Sequence, residues 1–127
     1  MESLSIADLT EMVLMVSNAQ DDQFQYWLSI SFAVIVASFI AKEKITERLS
    51  IIVIIIYLLA TLLLLVKYMD LGQLGFIYLN ELNSRGIEWG VSKRLHSILR
   101  VIIYIFGTST TCWFLYSNAK TNKKPNK

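Results

Sequence analysis

Polar and apolar positions divide the chain into three long uncharged runs separated by charged clusters. The first run, Gln23 to Ala41 (QFQYWLSISFAVIVASFIA), is bracketed by Asp22 and Lys42. The second covers 49–66, between Arg48 and Lys67, and the third covers 101–119, between Arg100 and Lys120. As a helix rising about 1.5 Å per residue, the first run spans roughly 28 Å, close to the ~30 Å hydrocarbon thickness of a bilayer. The pattern predicts three transmembrane helices and an all-α integral membrane protein. A soluble domain of this size has too little interior to bury SIIVIIIYLLATLLLLV on every side.

The flanking segments carry weaker helical signals. In the segment before Asp22, Ser5 and Asp8 form a weakened capping box, with Asp where Glu or Gln is preferred. Ile6, Leu9, Val13 and Val16 then follow helical spacing, which predicts a short amphipathic helix ahead of the first span. Its acidic polar face favours packing on protein over attraction to anionic lipid. KEKITER is short enough to set the second span antiparallel to the first. The second run is almost entirely Ile, Leu and Val, and reads as a lipid-facing strut without a polar stripe.

Between the second and third spans, Leu71, Leu74, Tyr78 and Leu82 share one helical face and predict an interfacial helix, although Gly72 and Gly75 weaken it. Asn83-Ser84-Arg85-Gly86 signals a turn, and a helix is expected to start near Val91 and continue into the third span. Residues 1–119 are thus expected to form one three-span domain, and 120–127 a basic disordered tail.

Two groups of small residues stand out. Ser29, Ala33, Ala37 and Ala41 recur every fourth residue, a ridge along which a second backbone can approach closely. Gly107, Thr108 and Thr111 form a second small face in the third span, and could pair with that ridge. These seven residues are the candidate packing or oligomer interface. Tyr26, Trp27, Trp89, Lys93 and Arg94 are candidate interfacial anchors, at the depth where amphipathic rings and snorkelling cations settle.

Composition sharpens what remains. Apolar residues make up 54% of the 127, above the usual soluble share of about 45–50%. The first 22 residues hold five carboxylates and no Lys or Arg, unlike the basic start of a signal peptide, so the first span is expected to be a retained anchor. KEKITER carries three basic residues and the tail four, against five between the second and third spans and none ahead of the first. The positive-inside rule then expects the N-terminus outside and the C-terminus cytoplasmic, as in a bacterial inner membrane.

Candidate chemistry is sparse. One histidine (His96, beside Arg94 and Arg100) and one cysteine (Cys112) offer no metal-ligand spacing, and no phosphate loop or nucleophile motif occurs. No carboxylate lies within the three runs, as an ion-coupled path would need. No catalytic residue, cofactor site, metal site or nucleic-acid partner is expected. The expected function is that of a non-enzymatic membrane component, embedded in membrane lipid and acting as a homo-oligomeric scaffold or as a small subunit of a larger membrane complex. The alternative is a pore or channel former. Size, three spans, outward N-terminus and Lys-rich inner tail resemble the general plan of three-span phage holins, and a lining would come from residues 108–111.

Overall fold

A computed structural model describes residues 3–88 and 92–121; the side chains of 92–94 are not among those described. Three helices account for nearly all of these residues: α1 (Ile6–Ile40), α2 (Glu47–Ser84) and α3 (Ser92–Thr121). Each is long and apolar enough to cross a membrane, as in a membrane protein. No strand occurs among the described residues.

The helices pack as an antiparallel hairpin, α1 on α2, with α3 laid parallel to α1. The direction follows from the contacts. Leu9 meets Leu82 near one end of the hairpin, while Ser31 reaches Tyr57 further along. Along α3, Tyr104 bonds to Gln23, Thr108 to Trp27 and Asn118 to Ser38, in rising order on both helices.

The separate amphipathic helix expected ahead of the first span is instead the opening half of α1, which runs unbroken for 35 residues. Likewise the interfacial helix expected after the second span is the closing half of α2, a single helix of 38 residues. Close packing between these two halves explains the continuity. A Cβ on Gly72 would lie 3.0 Å from the Gln20 side chain, and one on Gly75 would lie 3.1 Å from Val16. The glycines that weaken α2 locally therefore let α1 approach, and this contact offsets their cost of about 1 kcal/mol each. At 1.5 Å per residue, the paired segments 6–22 and 67–84 reach about 25 Å past the charge-free runs.

Each helix end has an identifiable stop or start. At α1, Ser5 and Asp8 complete both limbs of the capping box, with Asp8 N–H donating to Ser5 Oγ at 3.1 Å and Ser5 N–H to Asp8 Oδ2 at 2.9 Å. These bonds hold the Asp8 carboxyl below the usual aspartate range. Thr46 caps α2, its Oγ1 accepting from Leu49 N–H. At the other end of α2, Gly86 adopts φ +82° and two backbone bonds close the turn, Gly86 N–H to Asn83 O and Ile87 N–H to Leu82 O. This is a Schellman ending, which favours glycine at the left-handed position. Ile87 folds back onto Leu82 and Leu9, and Arg85 donates to the Leu4 carbonyl and to Glu81, closing this end of the hairpin.

Two predictions follow the packing. Gly107→Ala places a methyl 2.6 Å from the Trp27 ring, so it should destabilise the fold by about 1–3 kcal/mol, whereas Ser109→Ala on the exposed face should change little. Thermal melts in one detergent compare the two. At the α1 start, the capping bonds favour ionised Asp8, so their contribution is full above the ordinary aspartate pKa and lost as pH falls through the depressed one. Amide chemical shifts of residues 5–9, followed from pH 6 to pH 2, should move towards coil values, and Asp8→Asn should abolish most of that movement.

Candidate functional site

At the level where the α1 and α3 apolar runs begin, four aromatic rings lock the three helices together. Trp27 is 2% exposed and its ring centroid lies 4.6 Å from that of Tyr104. Phe24 meets Tyr104 edge-on at 5.4 Å, and Tyr68 of α2 meets it at 5.7 Å. The polar tips of Trp27 and Tyr104 are satisfied internally: Trp27 Nε1–H donates to Thr108 Oγ1 at 3.2 Å, and Tyr104 Oη–H donates to the Gln23 carbonyl at 3.0 Å. Just outside it, Arg100 lies over the Phe24 ring and pairs with Asp21.

Below the aromatic cluster a seam of small hydroxyl groups continues inward. Ser31 shares a 2.6 Å hydrogen bond with Tyr57, Ser50 donates to the Leu115 carbonyl at 3.0 Å, and Asn118 donates to Ser38 at 3.3 Å. Such bonds couple the helices where lipid offers no hydrophobic drive for association. On α2 the buried positions are Ser50, Tyr57, Thr61, Tyr68, Gly75 and Leu82, at intervals of seven and four. The expectation that α2 lacks a polar stripe is therefore corrected. Its hydroxyl-bearing, aromatic and small residues turn inward, and Ile51, Ile52, Ile55, Ile56, Leu59 and Leu63 face outward. Intervals of seven and four bring one face repeatedly to a partner helix, the geometry of knobs-into-holes packing.

The residues singled out from the sequence fall into three groups. Ser29, Ala33 and Ala37 are exposed on the outer side of α1, and Ala41 is half-buried at its C-cap. The Ser29 hydroxyl donates to its own helix, to Gln25 O at 2.9 Å. Gly107, Thr108 and Thr111 are turned inward, where Gly107 receives the Trp27 ring, Thr108 takes its N–H, and the Thr111 hydroxyl bonds to the Gly107 carbonyl. The small face of α3 is thus matched to an indole, not to the ridge of α1. Burial and the Thr108 bond make Trp27 a packing residue rather than a headgroup anchor; Tyr26, one residue earlier, is the exposed ring. Trp89 and the side chains of Lys93 and Arg94 lie outside the described residues.

Two openings between the helices bear on the chemistry. A cleft of about 740 Å³ separates the opening turns of α3 from the hairpin, with Gln20, Gln73, Asn80, His96, Ser97 and Arg100 on its walls. Amide and hydroxyl groups dominate its polar side, and the Arg100 charge is matched by Asp21. His96 and Ser97 are sequence neighbours on a helix and do not face each other, so they form no nucleophile–base pair. Among the described residues no three His, Cys, Asp or Glu side chains converge as a metal site would need. The second opening is a groove of about 250 Å³ between α2 and α3, at membrane depth, lined by Thr61, Thr108 and Ser109 among leucines. Thr61 is 7% exposed, and its hydroxyl is the one buried side-chain polar atom without a hydrogen-bond partner among the described residues.

Comparison of the chain with protein-family models, with curated proteins and with solved structures finds no match. What the arrangement can do chemically rests on these side chains alone. It offers a hydrogen-bonded polar seam, an outward small-residue ridge, and one buried hydroxyl without a partner.

If the seam holds the helices together, Ser31 and Tyr57 should be coupled. A double-mutant cycle with Ser31→Ala and Tyr57→Phe, measured by unfolding in mixed micelles, should return about 0.6 kcal/mol, the usual size for such pairs in membrane helices.

Proposed function

We propose that the chain is a non-enzymatic integral membrane component that assembles through helix packing, as a homo-oligomeric scaffold or as a small subunit of a larger membrane complex. The observation carrying this reading is the outward position of Ser29, Ala33 and Ala37. A small-residue ridge lets a neighbouring helix approach closely, and here internal packing does not consume it. The three helices pack on each other through Trp27, Ser31 and Ser38 of α1 instead. The ridge is flanked by exposed Phe32, Val36 and Phe39, which would add contact area on either side of the close approach.

The same reading sets the N-terminus and the paired extension of α1 and α2 outside, and the Lys42–Arg48 turn and basic tail inside, in a membrane of the bacterial inner-membrane kind. The distribution of Lys and Arg supports it. A pore has less support. Thr108 and Thr111 face the seam, and the outward hydroxyls of Ser109 and Thr110 bond to carbonyls of their own helix.

Mass measurement of the protein in native-like lipid particles tests the reading. Wild type should show one defined oligomer, and Ala33→Leu/Ala37→Leu should reduce it to monomer, because two isobutyl groups hold the neighbouring backbone away. A monomeric wild type, bound to no other membrane protein, would overturn the proposal.

A further inference from the structure

The cleft of about 740 Å³ plays no part in the assembly reading, and its size is that of a small-molecule site. Its lining is inside out for a chain in water. Along the opening turns of α3, His96, Ser97 and Arg100 line the cleft, while Leu95, Ile98 and Leu99 are exposed outside it. Depth explains the inversion. Arg100 pairs with Asp21, and Gln20 donates to the Tyr68 carbonyl, so the floor of the cleft lies where the charge-free runs end. Headgroups extend about 5–7 Å beyond the hydrocarbon on each side. Leu95 to Leu99 fall within about 8 Å of that floor, so their apolar side chains meet lipid and the polar ones turn to the cleft.

The α2 wall rises from this floor. Gln73, Phe76 and Asn80, at i, i+3 and i+7, share one helical face, and all three line the cleft. Phe76 is 63% exposed, although it lies about 13 Å along α2 past Lys67, beyond the lipid. An open phenyl ring in water costs free energy that the apolar surface of a ligand recovers. One turn to either side of it stand the two carboxamides. Among the described residues neither Gln73 nor Asn80 has a hydrogen-bond partner for its side chain, nor do His96 and Ser97 on α3.

This lining selects a chemistry. A carboxamide both donates and accepts. So does each hydroxyl of a sugar, whose C–H faces pack on the face of an aromatic ring. A phenyl ring between two carboxamides therefore matches a sugar ring whose hydroxyls reach both flanks. Charge points the same way. Among the described residues no carboxylate lines the cleft, and its one guanidinium is already paired with Asp21. An ammonium or a phosphate head would be desolvated there against no free counter-charge.

We infer that the cleft binds an uncharged saccharide, with a sugar ring stacked on Phe76 and hydrogen-bonded by Gln73 and Asn80. The inference does not rest on the assembly reading. A floor at headgroup depth admits the sugar either as the head of a glycolipid or free from water.

Matched probes test it on the full chain in phosphatidylcholine bicelles, with side-chain amides followed by proton–nitrogen NMR. The probes are maltose in solution, dodecyl maltoside doped into the bilayer, and phosphatidylglycerol as an anionic head. The Gln73 and Asn80 amide signals should shift saturably with a maltose head and stay in place with phosphatidylglycerol. A shift with dodecyl maltoside alone identifies a lipid-borne sugar, and an equal shift with free maltose identifies a soluble one. Phe76→Leu keeps the apolar bulk and removes the ring. It should weaken binding about fivefold, while an unmoved Trp27 indole signal reports an intact fold. No saturable shift with either maltose probe, an equal shift with phosphatidylglycerol, or binding indifferent to Phe76→Leu would overturn the inference.

Discussion

The bundle depends on one indole. Trp27 fills the space that Gly107 leaves empty, gives its N–H to Thr108, and packs at a tilt against Tyr104, which in turn touches Tyr68 of α2. Without the glycine the ring does not fit, and without the ring α3 faces a void where it meets α1. The aromatic contacts add about 0.5–1.5 kcal/mol each beyond burial. They also set the register of α3, so that Asn118 reaches Ser38 and Ser50 reaches the Leu115 carbonyl further along. Arg100 over Phe24, paired with Asp21, closes the cluster at the boundary with the charged region.

From that cluster the pattern of the whole protein follows. In lipid, aliphatic side chains gain nothing by hiding from their surroundings, so packing quality and hydrogen bonds decide which face turns inward. Along α2, hydroxyl-bearing, aromatic and small residues turn to the interior, and Ile and Leu cover the outside. Beyond the charge-free runs the logic reverts to that of a soluble coiled pair, with Leu9, Val13 and Leu82 forming an aliphatic core. One helix thus passes from one packing regime to the other without a break.

Much of this was legible in the sequence. Charge-free runs identify the three spans, KEKITER identifies the hairpin, and Ser5, Asp8 and Asn83–Gly86 mark helix ends that the structure places within a residue or two. The unbroken length of α1 and α2 was not legible, because Gly72 and Gly75 look like weak points until the Gln20 and Val16 contacts are known. The inward face of α2 was hidden for another reason. Among so many Ile and Leu residues, an amphipathic reading seeks a polar stripe, whereas the signal is a sparse series of non-aliphatic residues (Ser50, Tyr57, Thr61, Tyr68, Gly75) at heptad-like intervals. Trp27 misleads because its position at a span boundary fits an anchor as well as a wedge. Only the opposing Gly107 decides between them.

The central claim is that α2 turns its hydroxyl and aromatic face inward and its aliphatic face to lipid. Spin labels placed singly at Ser50, Tyr57 and Tyr68, and at Ile52, Ile56 and Leu63, report this directly through collision with dissolved oxygen in bilayers. The account predicts low oxygen accessibility at the first three positions and high accessibility at the second three. Equal accessibility in the two sets, or the reverse order, would contradict it.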